Sequence, residues 1–286
     1  MAVPFRRAAA FAAALSLSLP LLFSCGGNDR PAESQDPTTT AGESVTEPQS
    51  ETETKVSYDY PFRADLSAFL PYLNPEGGML VLANKQSPVG SDYAPDELVT
   101  LDPSFCLYGK EIDLEKTAAM ALYAMLTEMR AAGITDTFAT SGYRSYARQE
   151  YLFNYYCEQE AQAHPDWTKD EVRQYVLTYS AFPGTSEHQT GLCVDLMTTA
   201  MGGLFNYADE YGDGSKVGFA ETAAYRWLLD NAYQFGFILR YPEDKTDVTG
   251  YAYESWHYRF VGQAAAREIH DRGLTLEEYL LAGREV

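Results

Sequence analysis

The sequence has few of the residues on which disulfide-rich, nucleic-acid-binding and lipid-binding proteins depend. Its 286 residues include four cysteines, four histidines and 21 lysines and arginines against 41 acidic residues, for a formal net charge of −20. Four cysteines are too few for a disulfide framework. The burial of apolar side chains must therefore stabilise the core. The shortage of basic residues argues against nucleic acid as a partner and against charge-driven binding to anionic lipid.

The cysteines leave one disulfide open as an alternative. Cys25 lies close to the N-terminus, and the other three are Cys106, Cys157 and Cys193. Three is an odd number, so at most one pair among them forms a bridge, and their spacing favours no pair.

The N-terminus carries the features of a secretory signal. Two arginines precede an apolar run over residues 8–22, and Cys25 follows shortly after it. We interpret residues 1–24 as a signal peptide. Residues 22–25 resemble a bacterial lipobox, which predicts lipidation of Cys25 and an extracytoplasmic protein anchored to the bacterial cell membrane. An uncleaved membrane anchor is the alternative, but the run is short for a spanning helix and Pro20 interrupts it.

The remainder divides into a linker and a domain. Residues 25–56 hold the predicted lipidated cysteine and an acidic Ser/Thr/Pro-rich stretch with hardly any large apolar residue. Such a composition buries too little surface to offset the entropy of ordering, so it predicts a disordered tether. Residues 57–286 mix helical and strand periods without an internal repeat or a βαβ rhythm, which predicts a single α+β domain.

Hydrophobic periodicity predicts the elements of this domain. The predicted strands are 79–83, 137–140, 192–196, 237–241 and 253–260. The predicted helices are 117–132, 146–159, 169–179, 219–234, 263–271 and 275–281. The stretch 197–218, rich in Gly, Tyr and Asp, is interpreted as a loop, either a lid over a cleft or padding.

Two short segments contain half of the histidines and point to a metal. Asp195 lies on the strand face opposite three aliphatic residues, and Gly191 permits a turn that folds His188 back beside it. With His257 from a neighbouring strand, the set offers two nitrogens and an oxygen, which is what a catalytic zinc needs beside one open position. Glu254 is a spare carboxylate that suits a general base.

The spacing of Glu254 and His257 sets a condition on the strand that carries them. Positions three apart in an ideal strand face opposite sides. Both side chains therefore reach one metal only if the strand twists or turns there.

Four motifs in this order resemble the VanY-like zinc D-alanyl-D-alanine carboxypeptidases. They are Ser-Gly-Tyr-Arg-Ser at 141–145, Gly-Thr-Ser-Glu-His-Gln-Thr-Gly at 184–191, Gly-Phe-Ile-Leu-Arg-Tyr-Pro at 236–242 and Glu-Ser-Trp-His-Tyr-Arg at 254–259. Residues 82–85 and 93–95 resemble the entry segment of that family. The resemblance covers roughly residues 79–282, nearly the whole domain.

The resemblance implies a fold, a cofactor and an activity. The fold is a compact hedgehog/DD-peptidase-like α+β domain with a central, mainly antiparallel sheet flanked by helices. The cofactor is Zn2+, and the activity is that of a metallopeptidase that removes the C-terminal D-alanine from peptidoglycan stem peptides. The residues it implies are His188, Asp195 and His257 as zinc ligands, Glu254 as the base, Arg144 as a stabiliser of negative charge, and Gln149 and Ser186 as contacts of the substrate carboxylate.

Cys193 departs from the pattern of the family, which more often has alanine there. It lies on the same strand face as Asp195. It either approaches the metal or fills a small space in the core, and the core role is the favoured interpretation.

Several alternatives stay open at this point. An L,D-carboxypeptidase acting on tetrapeptide stems needs the same metal centre. A non-catalytic, zinc-stabilised cell-wall-binding module and a solute-binding lipoprotein are the rivals from other functional classes. The sequence does not reveal the oligomeric state, or whether the role is wall maturation or antibiotic resistance.

Overall fold

The computed structural model describes residues 60–75, 77, 79–208 and 217–283. The predicted signal peptide, Cys25 and the linker lie outside these residues, as does part of the predicted loop 197–218. Within the described ranges, no helix combines the length and the apolar character needed to cross a bilayer.

The described residues form eight α-helices and six strands, joined by short 3-10 turns. The helices are α1 (Leu70–Leu73), α2 (Lys116–Ala131), α3 (Tyr146–Ala163), α4 (Lys169–Val176), α5 (Ala223–Asn231), α6 (Thr246–Thr249), α7 (Gln263–Arg272) and α8 (Leu276–Ala282). The strands are β1 (Leu98–Thr100), β2 (Asp113–Glu115), β3 (Thr137–Ser141), β4 (Cys193–Thr198), β5 (Phe237–Tyr241) and β6 (Glu254–Phe260).

A four-stranded sheet with the order β3-β4-β6-β5 forms the centre of the fold, and every neighbouring pair in it is antiparallel. Strands β1 and β2 form a separate antiparallel pair. The predicted α+β domain with a central antiparallel sheet is therefore confirmed. Because β4 and β6 are the two inner strands, the backbone of each is paired with a neighbouring strand on both sides. These two strands carry residues of the metal-site motifs.

One apolar cluster joins α2 to the central sheet. Leu122 and Met125 of α2 are wholly buried, and they belong to the same cluster as Leu196 of β4 and Phe260 of β6. Burying such a side chain stabilises the fold by about 1.5–3 kcal/mol. The helix predicted at 117–132 thus supplies the apolar layer against which the site-bearing strands pack.

The strand predicted at 79–83 is wrong, because the carbonyl groups of this segment bind a side chain instead of another strand. Nη2 of Arg259 donates to the carbonyl oxygen of Met79 at 2.8 Å and to that of Val81 at 2.7 Å. The segment has no strand assignment. Of its five residues only Ala83 is fully buried, and Leu80 is 37% exposed.

The single helix predicted at 219–234 is interrupted. A 3-10 turn, Phe219–Glu221, precedes α5, and a second one, Ala232–Phe235, follows it. Thr222 has an extended backbone, and its hydroxyl accepts a hydrogen bond from the Tyr225 amide at 3.0 Å. An N-cap residue does not have helical geometry, so the helix starts anew there.

The short strands β1 and β2 have no counterpart among the predicted elements. Each has three residues, which is too few for an alternating pattern to stand out. They matter for the site because Asp113 packs closely against Gly142, where an added Cβ would lie 2.5 Å from the Asp113 carbonyl oxygen.

Candidate metal centre

His188 is placed by a tight turn that ends at a glycine. It lies in the 3-10 turn Glu187–Thr190, and Gly191 follows in the left-handed conformation with φ of 67°. A Cβ at Gly191 would lie 2.9 Å from Cγ of Pro95. Glycine thus meets both the torsion and the space requirement, and the turn brings His188 back beside β4 as predicted.

The imidazole of His188 is oriented by a backbone carbonyl. Nδ1 lies 2.7 Å from the Gly142 oxygen, which only accepts, so Nδ1 carries the hydrogen. Nε2 is left to face Asp195, with 3.3 Å between Nε2 and Oδ2. A histidine that ligates a metal through one nitrogen and donates from the other is the usual arrangement at metal sites.

His257 is oriented in the same manner by a carboxylate. It pairs directly with Asp195 across β4 and β6. Nε2 lies 3.3 Å from Oε2 of Glu187, and Nδ1 lies 3.0 Å from Oδ1 of Asp195. Because the Glu187 carboxylate accepts from Nε2, the nitrogen that faces Asp195 is Nδ1. The two imidazole rings are 5.1 Å apart and nearly perpendicular.

The carboxylate between the two histidines shows that the three side chains fit a metal cation. Oδ1 of Asp195 is buried and, among the described residues, has no hydrogen-bond partner, although Nδ1 of His257 is close to it. A buried, unsatisfied carboxylate oxygen is costly unless a cation compensates it. Two imidazole nitrogens and a carboxylate oxygen are ligands that zinc accepts.

The electrostatics of this pocket favour positive charge. Burial disfavours a charged imidazole at His188, but the Cys193 and Asp195 side chains outweigh it and raise the pKa of His188 to about 9. Burial likewise opposes charge on Asp195, and His188 and His257 overcome it and hold the pKa of Asp195 well below its usual range. The pocket therefore stabilises a cation, whether a proton on an imidazole or a metal ion.

Cys193 belongs to the same pocket. One ligand atom from each of His188, Cys193 and His257 lies within 4.8 Å of the other two, and the thiol is wholly buried. Cys106, Cys157 and Cys193 are all free thiols, so the described chain contains no disulfide between them. Of the two interpretations of Cys193, the structure supports the one in which it faces the metal ligands.

Glu254 reaches the metal pocket because β6 is irregular at its start. Leu239 of β5 pairs with Tyr258 and Tyr241 pairs with Glu254, so a two-residue step on β5 matches a four-residue step on β6. This bulge rotates the strand between Glu254 and His257. The expected twist is thereby present.

The bulge is held by an asparagine from the preceding loop. Nδ2 of Asn206 donates to the backbone carbonyl oxygen of Tyr253 at 3.0 Å, and its Oδ1 accepts from the backbone amide of Ser255 at 2.9 Å. Between these two contacts, Glu254 has Oε2 3.5 Å from Nδ1 of His257. The described part of the loop predicted at 197–218 therefore flanks the candidate base.

The environment of Glu254 suits proton transfer. Its side chain is 29% exposed, so it lies at the mouth of the pocket. Burial raises its pKa, His257 opposes the rise, and Asp195 adds to it. A carboxylate whose pKa is raised accepts a proton more readily than an ordinary surface glutamate.

Arg144 lies beside the same pocket. Its backbone amide donates to the His188 oxygen at 3.0 Å. The guanidinium donates through Nη1 to Oε1 of Gln149 at 2.8 Å and through Nη2 to the Ser141 hydroxyl at 3.3 Å. Its positive charge acts on Glu254, where it opposes the rise in pKa that burial causes.

Gln149 and Ser186 are both buried near this arginine and the histidine turn. Nε2 of Gln149 donates to the Ala181 oxygen at 2.6 Å, so both ends of its amide bind protein groups. Ser186 is 5% exposed and directly precedes the turn that carries His188. The structure shows Gln149 as a support of Arg144, and the role of both residues in holding a substrate carboxylate stays a prediction.

Sequence reasoning missed a buried cluster of charges behind the proposed ligands. Glu187 is fully buried, and its Oε1 accepts from Nε of Arg240 at 2.9 Å and from Nη1 of Arg259. Arg240 also binds Glu277 of α8, with Nη2 2.6 Å from Oε1. The sequence does contain an indication of this cluster, since an arginine lies among the apolar residues of each of β5 and β6.

The charges of this cluster compensate one another. Burial disfavours ionised Glu187, yet Arg240 and then Arg259 overcome it and hold its pKa far below the usual range. Glu187 therefore stays a carboxylate beside His257, and it fixes which nitrogen of that imidazole faces the metal pocket.

Comparison with known proteins gives relatives of one kind. The family model for VanY, D-alanyl-D-alanine carboxypeptidase, matches residues 111–263. The putative carboxypeptidase YodJ of Bacillus subtilis (strain 168) is 40% identical over 208 residues, which cover 72% of this chain and 68% of that protein.

Two solved structures are similar over 71% of this chain. One is a point mutant of the vancomycin resistance D,D-pentapeptidase VanY from a VanB-type resistance cassette, in complex with Zn(II), with 36% identity, a TM-score of 0.55 and 98% of that chain covered. The other is the LdcB LD-carboxypeptidase, with 39% identity, a TM-score of 0.59 and 85% of that chain covered.

We expect His257→Ala to lose the bound metal. Removal of one of the three proposed protein ligands leaves the buried Asp195 carboxylate with a single imidazole neighbour. Elemental analysis of the purified protein measures this as zinc per chain. His270→Ala is the matched control, because that imidazole lies on α7, partly exposed and stacked on Tyr233. Equal zinc in both variants would contradict the assignment.

Glu187→Gln is expected to weaken zinc binding by about 10- to 100-fold, which is the usual effect of removing a partner of a metal-ligating histidine. The amide lacks the charge that compensates Arg240 and Arg259, so unfolding also becomes easier. Competition against a chelator measures the affinity under conditions where circular dichroism shows a folded protein. Glu97→Gln, which alters only an exposed pair with Lys116, is the control. An unchanged affinity in Glu187→Gln would exclude the orienting role.

Proposed function

The chain belongs to the VanY family of D-alanyl-D-alanine carboxypeptidases, and from this we propose that it is a zinc-dependent carboxypeptidase that removes the C-terminal D-alanine from peptidoglycan stem peptides. One observation carries the proposal. His188, Asp195 and His257 converge on one buried point, and a partly exposed glutamate lies 3.5 Å from the last of them. That arrangement suits hydrolysis by an activated water.

A zinc ion held by His188, Asp195 and His257 would supply Lewis acidity and lower the pKa of a bound water to about 7. Glu254 accepts the proton of the attacking water, because its carboxylate lies at the mouth of the pocket with a raised pKa. The same raised pKa allows Glu254 to give the proton to the leaving amine when the peptide C–N bond breaks. The products are a shortened stem peptide and free D-alanine.

Arg144 is proposed to stabilise the negative charge that develops on the carbonyl oxygen during attack. Its guanidinium is held by Gln149 and Ser141, so it does not need to reorganise when that charge appears. Gln149 in turn is fixed by the Ala181 carbonyl. The pair forms a rigid positive edge on the pocket, opposite in charge to the C-terminal carboxylate of a peptide.

An L,D-carboxypeptidase acting on tetrapeptide stems is the second candidate. The similarity to the LdcB LD-carboxypeptidase, at 39% identity, favours keeping it. Both reactions use the same ligands, base and arginine, so the buried pocket does not distinguish them. The match to the D-alanyl-D-alanine carboxypeptidase model and to a D,D-pentapeptidase supports the first.

A non-catalytic wall-binding module is disfavoured by the same geometry. A module that needed zinc only for stability would have no use for a base at the mouth of the pocket or for a positioned arginine, and this chain has both Glu254 and Arg144 there. A solute-binding lipoprotein leaves the whole ligand set unexplained.

We propose further that the enzyme acts outside the cytoplasm and is held at the bacterial cell membrane by lipid on Cys25. The support is the arrangement of two arginines, the apolar run 8–22 and a lipobox-like segment ending at that cysteine. A peptidase of stem peptides needs to lie where the cell wall lies, which agrees with this placement.

We expect purified protein to release D-alanine from muropeptides and to stop when a chelator removes the metal. Glu254→Gln should keep its zinc and lose about 10²- to 10⁴-fold in rate, the usual contribution of a general base. Mass spectrometry of matched penta- and tetrapeptide digests measures the release and identifies the bond cleaved. Glu268→Gln, an exposed change on α7, is the control. Full activity in Glu254→Gln, or release that resists the chelator, would refute the mechanism.

Replacement of Cys25 by serine is expected to move the protein from the membrane fraction to the soluble fraction and to abolish labelling by a radioactive fatty acid. Serine has no thiol to accept the lipid. Cys157→Ser, which alters a free and half-buried thiol, should stay in the membrane fraction and stay labelled. Membrane-bound, labelled Cys25→Ser protein would exclude this anchor.

A further inference from the structure

We propose that Asn206 is a positioning residue, which holds Glu254 in place beside His257 through the backbone on either side of it. The inference rests on the proposed function, because that function makes Glu254 the base. It goes further by naming the group on which the position of that base depends.

The side-chain amide of Asn206 spans the backbone of the base. Nδ2 donates to the carbonyl oxygen of Tyr253 at 3.0 Å, and Oδ1 accepts from the backbone amide of Ser255 at 2.9 Å. These two residues are the chain neighbours of Glu254. In a sheet, backbone groups of this kind are normally bound by a neighbouring strand. The side chain of Asn206 therefore takes the place of a strand at this point.

The sheet is incomplete where Glu254 lies. Among the described residues, the pairing of β6 with β4 covers His257 to Arg259 and does not reach Glu254. On the other side of β6, the bulge interrupts the pairing with β5 between Tyr258 and Glu254. The backbone around the base is therefore not fixed by the sheet alone, and Asn206 supplies partner groups for it.

Asn206 is itself held in place. It is 6% exposed, and its backbone oxygen accepts from the Ala220 amide at 2.9 Å. The stretch that follows Asn206 packs against the one that precedes Ala220, since a Cβ at Gly218 would lie 2.3 Å from the backbone nitrogen of Tyr207. The amide of Asn206 thus reaches Glu254 from backbone that is already packed.

A small displacement of Glu254 is expected to matter for the rate. Its Oε2 lies 3.5 Å from Nδ1 of His257, and a base must lie within hydrogen-bond reach of the proton that it takes. Without Asn206, the amide of the fully buried Ser255 loses its acceptor, so the backbone that carries Glu254 must shift to satisfy it. A shift of about 1 Å can lower a rate by about 100-fold.

Asn206→Ala and Asn206→Asp test this role in the zinc-loaded, full-length protein. Alanine removes both contacts, whereas aspartate keeps the size of the side chain and loses the donor to Tyr253. We expect kcat for D-alanine release to fall by about 10- to 100-fold in both variants. KM should change by less than about 3-fold, because Asn206 acts on the base and not on substrate binding. Zinc per chain should equal that of the unaltered protein.

A double-mutant cycle separates positioning from a general effect on the fold. In the Glu254→Gln background, Asn206→Ala should lower the residual rate by less than about 3-fold, because the base that it positions is already absent. Asn231→Ala is the matched control. Its Nδ2 also binds a backbone oxygen, that of Trp227 at 2.8 Å, and kcat should not change. An equal fall in both backgrounds, or full kcat in either folded Asn206 variant, would overturn the inference.

Two further measurements do not depend on turnover. Hydrogen exchange at the Ser255 amide should be at least about 10-fold faster in Asn206→Ala, since that amide loses its acceptor. In a crystal structure of the same variant, Oε2 of Glu254 should lie further from Nδ1 of His257 than the present 3.5 Å. An unmoved Glu254 carboxylate would contradict the positioning role whatever the rate.

These outcomes are separable from the fate of the proposed function. If the unaltered protein releases D-alanine and both Asn206 variants keep full kcat, the peptidase assignment stands and Asn206 is not a positioning residue. If the unaltered protein releases none while Glu254 is displaced in Asn206→Ala, the peptidase assignment fails and Asn206 remains the support of that side chain.

Discussion

The interaction on which the site depends is the contact between a buried glutamate and the imidazole of His257. Glu187 is inaccessible to solvent, is held by two arginines and accepts from Nε2 of that ring. Removing one partner from such a buried set costs about 3–5 kcal/mol, because the charges left behind lose their compensation. The arrangement is therefore rigid, and it determines that Nδ1 rather than Nε2 faces Asp195.

The same charges join parts of the chain that are far apart in sequence. Arg259 binds carbonyl groups of the segment around Met79. Arg240 binds Glu277 of α8, and Glu277 also accepts a hydrogen bond from the side-chain amide of Asn84 at 3.0 Å. Residues 79–84 and helix α8 are thereby linked to the buried charges that lie behind the metal pocket. Segments without any catalytic motif thus contribute to the position of a ligand.

Local patterns were sufficient to predict that the proposed ligands lie close together and insufficient to predict the groups that hold them. Period-two alternation in β4 and the glycine after the histidine turn predict that His188 meets Asp195, since both are short-range constraints. The failed strand at 79–83 shows the limit, because its carbonyl groups are taken by an arginine about 180 residues away. Neither hydrophobic periodicity nor local propensity contains such a contact. The bulge in β6 was required by the chemistry of the two motifs, but Asn206, which holds it, carried no local signal.

The division between buried and exposed parts of the site bears on its specificity. The proposed ligands His188, Asp195 and His257 are between 2% and 7% exposed, and the two imidazoles are held by the Gly142 carbonyl and the Glu187 carboxylate, so this part of the site has one geometry. Glu254 and Arg144 are partly open at the mouth of the pocket. A preference for D,D or L,D bonds must then come from the walls around that mouth. The loop that carries Asn206 binds the backbone on either side of Glu254, and Gln149 of α3 binds Arg144 directly. Changes in that loop or helix that alter bond preference should therefore also shift Glu254 or Arg144, which ties specificity to rate in the proposed site.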